Sequence, residues 1–316
     1  MTDQALVTTT ETLPLDQHPA AVYLAGLGSE ASRHTMRRAL DTIAELASGG
    51  RVDALGLDWA ALRFQHAALI RSELAKRYAP ATANKILSAL RGALKAAWKL
   101  GLVDAEDYHQ AASVENVKGE TLPAGRDIPA GELAALVGAC EADQSPSGVR
   151  DAALIGLLYT CGLRRAELVA LDLVDLDGES LRVRGKRDKE RLVYPTSGAA
   201  VALADWLAIR GDAPGPLFWP VAKGGKLRRR RMTTQAVWKR IKYRARQAGI
   251  KDLSPHDFRR TFVGDLLDAG ADISTVARLA GHANVQTTAR YDRRPEAAKR
   301  KAAGLLHLPY RRRVLR

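Results

Sequence analysis

Apolar residues recur at helical spacing through the first third of the chain. In RHTMRRALDTIAELAS they fall at Met36, Leu40, Ile43 and Leu46–Ala47. Ser32 is in place to cap this helix, and Gly49 is in place to end it. In PATANKILSALRGALKAAWKLG the apolar residues form one stripe opposite lysine and arginine, and Gly101 is the stop. The pattern predicts an all-helical domain over residues 16–113, preceded by a flexible segment over residues 1–15.

Periodicity is weak in the next stretch, VENVKGETLPAGRDIP, which contains prolines and glycines. This composition predicts a linker over residues 114–128. A second domain is expected over residues 129–300, because the helical patterns GELAALVGAC and VRDAALIGLLYTC follow the linker. The remaining residues, 301–316, are expected to form a basic tail.

The second domain also contains one strand pattern. In ESLRVRGKRDKERLVYP, two alternating apolar pairs flank a Gly-Lys-Arg-Asp turn, Leu181 with Val183 and Leu192 with Tyr194. The segment predicts a small β-hairpin in an otherwise helical domain. The expected fold class is therefore mainly α with a small β-sheet.

Composition adds a strong positive charge. Lysine and arginine total 49 against 35 acidic residues, which gives a formal net charge of +14. Nucleic acid is the favoured partner, because each basic group placed on a phosphate releases condensed counterions; a membrane surface would also attract the chain. No apolar run approaches the roughly 20 residues that span a bilayer, and the N-terminus lacks a signal-peptide pattern. A cytoplasmic, nucleoid-associated protein without a membrane partner is expected.

No motif indicates a metal or a nucleotide cofactor. Cys140 and Cys161 lie outside any CxxC or Cys/His cluster, so buried free thiols are expected, with no disulfide and no metal. KGGK at residues 223–226 lacks the Lys-Ser/Thr and the preceding strand of a phosphate-binding P-loop. The expected cofactor requirement is none.

Two basic segments are candidate DNA contacts. LRRRR over residues 227–231 is either a solvated face or a phosphate clamp, and its basic surroundings favour the clamp. The helical pattern after it, AVWKRIKYRARQAG, is basic around much of its circumference, so only some of its cations can face DNA. The predicted DNA-binding residues are Arg228, Arg229, Arg230, Arg231, Lys239 and Arg240, with Lys85 and Arg91 in the N-terminal domain.

Candidate chemistry is concentrated near predicted helix ends. Ser254, followed by a proline, is a helix start that places His256 and Arg259 one turn apart on one face. Free backbone amides at such a start favour an anion. Arg164 follows the glycine that ends one helix and opens the next. His282 follows another helix-ending glycine, and a short predicted helix then carries a tyrosine, which adds imidazole and phenol to the guanidiniums.

These residues carry a family resemblance. The second domain resembles the catalytic domain of tyrosine recombinases, the phage integrase and Xer family, whose pattern is Arg, Lys, His-x-x-Arg, His or Trp, then Tyr. The segments GLRRAEL, RGKRDKERL, HDFR, GH and the later tyrosine fill this pattern in order, with Arg164, Lys186, His256, Arg259, His282 and Tyr291. The N-terminal helices are similar in general character to the family's SAM-like core-binding domain.

The resemblance implies a site-specific DNA recombinase that needs neither metal nor ATP. Tyr291 is then the nucleophile, and its attack on a DNA phosphate gives a 3′-phosphotyrosine that retains the bond energy for rejoining. Arg164 and Arg259 are expected to hold the non-bridging oxygens, because planar, permanently charged forks suit phosphate.

The remaining catalytic roles are also implied by the resemblance. Lys186, on the hairpin turn, is expected to protonate the leaving 5′-oxygen, although Arg187 and Lys189 occupy the same turn and the sequence does not fix which one points inward. His256 is expected to act as an acid or base, and His282 to donate to a phosphate oxygen.

The family also implies an assembly. A homo-tetramer on two specific double-stranded recombination sites is expected, with strands exchanged through a Holliday junction and the basic tail docked on a neighbouring protomer or on its own domain. Two alternatives are a type IB topoisomerase, which shares the tyrosine chemistry, and a non-catalytic architectural DNA-binding protein. The target DNA sequence, and the choice between a mobile-element integrase and a resolver of chromosome dimers, stay open.

Overall fold

The computed structural model describes residues 13–119, 125–185, 189–292 and 303. The chain divides into two compact units, Met1–Leu122 and Pro123–Arg316. Within residues 13–119, five helices form the first unit: α1 (Pro19–Ala25), α2 (Glu30–Ser48), α3 (Phe64–Arg77), α4 (Pro80–Lys99) and α5 (Ala105–Ala112). The helical character predicted for this region is confirmed.

One helix boundary in the first unit differs from the prediction. Ser29, not Ser32, caps α2: its Oγ accepts a hydrogen bond from the Ser32 backbone N–H at 3.2 Å, which places Ser32 inside the first turn. Both serines suit a cap, and the sequence pattern alone does not separate positions three residues apart. The predicted end is confirmed, since Gly49 is the C-cap with a φ of 66°, a left-handed conformation that favours glycine.

The predicted apolar stripe of α4 forms the centre of the first core. Its members are all buried, at Ile86, Leu87, Leu90, Leu94 and Ala97. Trp98 lies at the edge of this core and stacks on Tyr108 of α5, with ring centroids 5.1 Å apart. Among the described residues of this unit, buried polar side chains are restricted to His18 and Ser48, so the first unit is held together by apolar packing.

The second unit is mostly helical with a small sheet, as predicted. Its described elements are α6 (Ala130–Glu141), α7 (Pro146–Thr160), α8 (Arg165–Ala170), β1 (Leu176–Asp177), β2 (Ser180–Arg184), β3 (Glu190–Val193), α9 (Gly198–Arg210), α10 (Thr234–Gln247), α11 (Pro255–Asp268), α12 (Ile273–Ala280) and α13 (Val285–Ala289). None of the helices within the described ranges is long and apolar enough to cross a membrane.

The two strands of the predicted hairpin are present, and they differ in which residues they bury. β1, β2 and β3 form an antiparallel sheet in which Val183 pairs with Arg191. Leu181 and Val183 of β2 are buried, whereas Leu192 and Tyr194 are 47% and 52% exposed. The inward positions of β3 are occupied by Val193 and by Arg191, whose charge is paired with a buried carboxylate.

Two apolar clusters position α11 within the second unit. Phe258 belongs to the larger cluster, with Leu154 and Trp206, whereas Phe262 belongs to a smaller one that includes Val276 of α12. The helix is therefore packed on two sides, which fixes the residues between them. Cys140 and Cys161 are buried and free, as expected, and burial raises the pKa of these thiols to about 12 and about 11.

The two ends of the predicted linker are held by side-chain hydrogen bonds. In the first unit, Asn84 donates to the Val117 carbonyl at 3.0 Å and accepts from its N–H at 2.7 Å. In the second unit, the Ile128 N–H donates to Thr261 Oγ1 at 2.9 Å. These segments lack apolar periodicity because polar side chains, rather than apolar packing, satisfy their backbone groups.

Candidate active site

The start of α8 orients Arg164. This residue is the N-cap, and its backbone N–H donates to Glu167 Oε2 at 2.9 Å. The guanidinium donates from Nη1 to Glu167 Oε1 at 2.7 Å and from Nη2 to the Gly281 carbonyl at 3.1 Å. The side chain is 44% exposed. Hydrogen bonds thus hold both the backbone N–H and the guanidinium of Arg164, while its side chain stays accessible to a ligand.

The first turn of α11 supplies a second, buried guanidinium. Ser254 and Asp257 form the predicted capping pair, with the Ser254 N–H donating to Asp257 Oδ2 at 2.6 Å. One turn later, Arg259 is 5% exposed and donates from Nη1 to the Gly162 carbonyl at 2.7 Å. Its Nη2 is buried and has no hydrogen-bond partner among the described residues.

Gly162 has a steric reason to be glycine. Its φ is +56°, and a Cβ at this position would lie 2.3 Å from the ring of Phe262. The close approach brings the Gly162 carbonyl to Arg259. The pKa of Arg259 is lowered to about 10 by burial and then by the neighbouring charge of Arg164. A buried cation without full compensation attracts an anion.

Two charged residues of this site were not singled out in the sequence. Glu167 is buried, and Arg191 from β3 donates from Nη2 to Glu167 Oε2 at 2.8 Å. Burial by itself raises the pKa of Glu167, but hydrogen bonds from Arg191 and from the Arg164 backbone lower it overall. The spacing of Glu167 three residues after Arg164 resembles a helix cap and could have indicated it. Arg191 gave no such signal, because its partner Glu167 lies 24 residues away in the sequence.

The Gly-His segment after α12 places an imidazole beside this cluster. Gly281 is the left-handed C-cap with a φ of 64°. His282 follows it, and its Nδ1 lies 2.8 Å from the Oγ1 of buried Thr288, a partner not anticipated from the sequence. Burial, followed by the charges of Arg259 and Arg164, lowers the pKa of His282 to about 4. The free site therefore holds this histidine in its neutral form at pH 7.

Tyr291 lies immediately after α13 rather than on it. Arg290 is the C-cap of that helix, and the Tyr291 N–H donates to the Thr288 carbonyl at 2.9 Å. The ring packs against the smaller apolar cluster and lies nearly parallel to the His282 ring, with centroids 6.3 Å apart. The guanidinium of Arg260 lies 6.0 Å from the centre of the Tyr291 ring. The phenol therefore belongs to the same cationic region as His282.

His256 faces the same side of α11 as Arg259, as its three-residue spacing predicted. A cavity of about 340 Å³ is lined by His256, Arg259, Arg164, Arg165, Trp238 and Leu163, among others. Partial removal of water, then the charge of Arg259, lowers the pKa of His256. The structure thus gathers Arg164, Arg259, His256, His282 and Tyr291 on one side of α11 and α12. Lys186 and Arg187 lie outside the described residues.

The charge of this cluster suits an anion. Three guanidiniums, of Arg164, Arg191 and Arg259, face the single carboxylate of Glu167, which leaves two uncompensated positive charges. Among the described residues, no group of three or more metal-ligating side chains is placed to hold a metal ion. A DNA phosphate would meet guanidinium forks and neutral imidazoles here.

The predicted DNA-binding residues separate into two sets. Three of them already bind protein acceptors: Arg91 the Ala112 and Val114 carbonyls, Arg231 the Asp172 carboxylate, and Arg240 the buried Asp151 carboxylate. Each of these three guanidiniums thus has a partner within its own unit, and their role on DNA stays a prediction. Arg228, Arg229, Arg230 and Lys239 in the second unit and Lys85 in the first are exposed, and so is Arg231 despite its ion pair.

Comparisons with known proteins agree on one family. The sequence profile of the phage integrase family matches residues 126–297. Tyrosine recombinase XerC of Chromohalobacter salexigens is 34% identical over 275 residues, 85% of this chain and 88% of that protein. Tyrosine recombinase XerD of Pseudomonas putida is 37% identical over 222 residues, 68% of this chain and 71% of that protein.

Solved structures share the fold. The Tn1549 transposon integrase in complex with transposon right-end DNA superposes with a TM-score of 0.67 at 15% identity, over 92% of this chain and 98% of that one. A lambda integrase dimer bound to a COC′ core site gives a TM-score of 0.66 at 16% identity, over 88% of this chain and 93% of that one.

Proposed function

Because the chain belongs to the phage integrase family of tyrosine recombinases, we propose that it cleaves and rejoins DNA through a covalent bond between Tyr291 and a 3′-phosphate. The chain is a DNA strand-transferring enzyme of site-specific recombination. The observation that carries the proposed chemistry is the buried Nη2 of Arg259, which lacks a hydrogen-bond partner among the described residues and lies in a cluster with excess positive charge. A phosphate oxygen supplies the missing acceptor.

The arginines hold the phosphate. Arg259 donates Nη2 to one non-bridging oxygen, and the half-exposed Arg164 donates to the other. As the phosphorus becomes pentavalent, charge develops on these oxygens, and guanidiniums that are already oriented stabilise it without reorganisation. The fixed partners of Arg164, Glu167 and Gly281, keep its fork in place before the substrate arrives.

The histidines donate to and accept from the reacting groups. In the proposed reaction the neutral His282 ring donates from Nε2 to a phosphate oxygen, and the 2.8 Å contact between Nδ1 and Thr288 Oγ1 suits a tautomer in which Nδ1 is the acceptor. His256, beside Arg259 and with a lowered pKa, is the base that receives the phenolic proton of Tyr291, directly or through water.

The bond changes balance without a cofactor. Tyr291 Oη forms a bond to phosphorus, and the bond from phosphorus to the 5′-oxygen breaks. Lys186 then supplies the proton that the leaving 5′-oxygen needs. In the reverse step a 5′-hydroxyl attacks the phosphotyrosine and returns the proton to the lysine.

Assembly on DNA follows from the same assignment. The solved neighbours include a lambda integrase tetramer bound to a Holliday junction, with a TM-score of 0.62. By analogy, this chain is proposed to form a homo-tetramer on two double-stranded recombination sites, and to exchange strands through such a junction. The relatives are recombinases, which favours site-specific recombination over the topoisomerase and architectural alternatives.

The decisive test is a nicked DNA substrate that traps the covalent complex. Such a substrate loses a short fragment after cleavage, so the phosphotyrosine cannot be reversed. Tyr291→Phe is expected to form no adduct and to bind the same DNA with an affinity within about twofold of wild type, because a lost hydroxyl leaves the phosphate contacts in place.

Tyr243→Phe is the matched control. Tyr243 is 44% exposed on α10, and its substitution should leave adduct yield unchanged. Adduct formation by Tyr291→Phe at the wild-type level would refute the assignment of the nucleophile.

A further inference from the structure

Arg191 is an unusual residue for the inward face of a strand. It lies opposite Val183 in the sheet, and its side chain is 12% exposed. We propose that Arg191 is a positioning residue that fixes the orientation of Arg164 during DNA cleavage. The inference rests on the proposed function and assigns Arg191 no contact with DNA.

Arg191 contacts both residues that hold Arg164, and with the first of them, Glu167, it forms two hydrogen bonds. Its Nη1 and Nη2 donate to Glu167 Oε1 and Oε2 at 3.2 and 2.8 Å. The same two oxygens accept from Arg164, Oε1 from Nη1 at 2.7 Å and Oε2 from the backbone N–H at 2.9 Å. The carboxylate of Glu167 therefore bridges two arginines, and its plane is set by both of them.

The second anchor of Arg164 is the Gly281 carbonyl, and Arg191 packs directly on that residue. A Cβ on Gly281 would lie 2.8 Å from Arg191 Nη1, so the guanidinium occupies the space beside the glycine. Arg191 Nε also donates to the Leu279 carbonyl at 2.9 Å, two residues earlier. The end of α12 and the start of α8 are thus held at a fixed separation by one side chain.

Charge explains why this arrangement matters for Arg164. Glu167 is 6% exposed and would hold a single cationic partner, Arg164, if Arg191 were absent. The carboxylate would then draw Arg164, whose 44% exposed side chain has room to move, away from the phosphate. Arg191 shares the negative charge and leaves Arg164 oriented toward the ligand.

Lysine does not reproduce this geometry. An ammonium group is a point charge, whereas the guanidinium fork reaches both carboxylate oxygens and a backbone carbonyl at once. Arg191→Lys retains the charge beside Glu167, which preserves the fold, and loses the fork.

The experiment measures the single-turnover rate of adduct formation on the nicked substrate with the full chain. Arg191→Gln is expected to slow cleavage about 100-fold, since a displacement of about 1 Å at a reacting phosphate has an effect of that size. Arg191→Lys is expected to slow it about tenfold. DNA affinity should change less than about twofold in both variants, because Arg191 does not touch DNA.

A double-mutant cycle separates positioning from a general structural role. In an Arg164→Ala background, Arg191→Gln should reduce the rate by less than about threefold, because the residue it positions is gone. An equal loss in both backgrounds would show a merely structural role and would overturn the proposal. Arg182→Gln, on the outer face of β2, is the control for the loss of a cation and should cleave within about twofold of wild type.

The covalent tyrosine chemistry and the positioning role of Arg191 can be refuted separately. If the wild type forms no adduct, the proposed function itself is wrong. In the other case, the wild type forms the adduct, and Arg191→Gln and Arg191→Lys have melting temperatures near wild type. If both variants then cleave at the wild-type rate, the tyrosine chemistry stands and the role of Arg191 is refuted.

Discussion

Two buried arginines of the second unit, Arg244 and Arg259, have opposite surroundings. The Arg244 side chain is fully buried and donates to Asp151 Oδ2 at 2.8 Å, to Gln247 Oε1 at 2.9 Å and to Asp143. Burial alone lowers the pKa of Arg244, but its bonds to Asp143 and Asp151 raise it overall. Among the described residues, Arg259 donates to a backbone carbonyl and forms no ion pair with a carboxylate, and burial and Arg164 lower its pKa to about 10.

The difference separates a structural cluster from a binding site. Asp151 also accepts from Arg150 and Arg240, so that α7 and α10 are joined by a network of paired charges. A compensated network stabilises the fold only as long as every member is present. Around Arg259 the compensation is incomplete, and under the proposed function a DNA phosphate is the missing partner. Residue type and burial are the same in both places; hydrogen-bond satisfaction distinguishes them.

The largest loss of cleavage is expected when Arg259 is replaced. Arg259→Gln is expected to slow adduct formation about 10³-fold, because it removes a donor aimed at developing charge. Its unfolding free energy should not decrease, since the change removes a buried charge with an unpaired nitrogen. Single-turnover cleavage and urea unfolding measure the two quantities.

Arg246→Gln, at an exposed position of α10, is the control for the loss of one cation. If Arg259→Gln instead unfolded readily and its folded fraction cleaved at the wild-type rate, Arg259 would belong with the structural cluster.

Replacement of Arg244 is expected to reduce stability and to leave cleavage unchanged. Arg244→Met should lower the unfolding free energy by about 3 kcal/mol, because it leaves Asp143 and buried Asp151 with fewer partners. Cleavage per folded molecule should not change. Urea unfolding followed by cleavage assays below the transition tests both statements. A stable variant with impaired cleavage would contradict the division between the two clusters.

The pH dependence of stability should report His282. Its pKa is about 4 in the folded protein against 6.5 for an ordinary histidine, so the unfolded chain binds the proton first as the pH falls. The unfolding free energy therefore decreases from pH 6.5 toward 4 and is unaffected by this group above that range. His18 and His256, whose pKa values are also lowered, titrate in the same direction.

The contribution of His282 is isolated by substitution. His282→Gln should flatten the profile between pH 7 and 5, measured by urea unfolding, whereas His34→Gln at an exposed position should not. Identical profiles for His282→Gln and wild type would mean that burial and the neighbouring arginines do not lower the pKa of this imidazole in the free protein.

The smallest expected effect concerns the surface cations. Replacing exposed Arg229 and Arg230 with alanine should reduce the slope of log affinity against log salt concentration by about 1 to 2. Arg231→Ala should leave the slope unchanged, because its guanidinium is paired with Asp172 at 2.6 Å. Filter binding or anisotropy across a salt series measures the slopes. Equal changes of slope in both variants would show that the ion pair with Asp172 does not keep Arg231 from the DNA.

Much of the fold was predictable because its signals are local. The stripe of α4, the proline and glycine at its ends, and the capping pair of Ser254 and Asp257 each depend on residues within a few turns. The hairpin was predicted as an element, but its inward arginine was not, because hydrophobicity alone does not identify a buried cation.

The candidate site was predictable as a set of residue types, since the family resemblance names Arg164, Lys186, His256, Arg259, His282 and Tyr291 in that order. The sequence did not show what holds them. Arg191 is 24 residues from Glu167 and 88 from Leu279, so its hydrogen bonds depend on a packing that no local pattern encodes. The same is true of Arg231 and Arg240, whose carboxylate partners lie 59 and 89 residues away.

By itself, the sequence determined the helical elements, the family and the reactive groups, because periodicity, caps and motif order are written along the chain. Only the tertiary structure decided which cations are neutralised. Whether a guanidinium stabilises the fold or stays available to a phosphate depends on the carboxylates that packing brings within 3 Å, as Arg244 and Arg259 show.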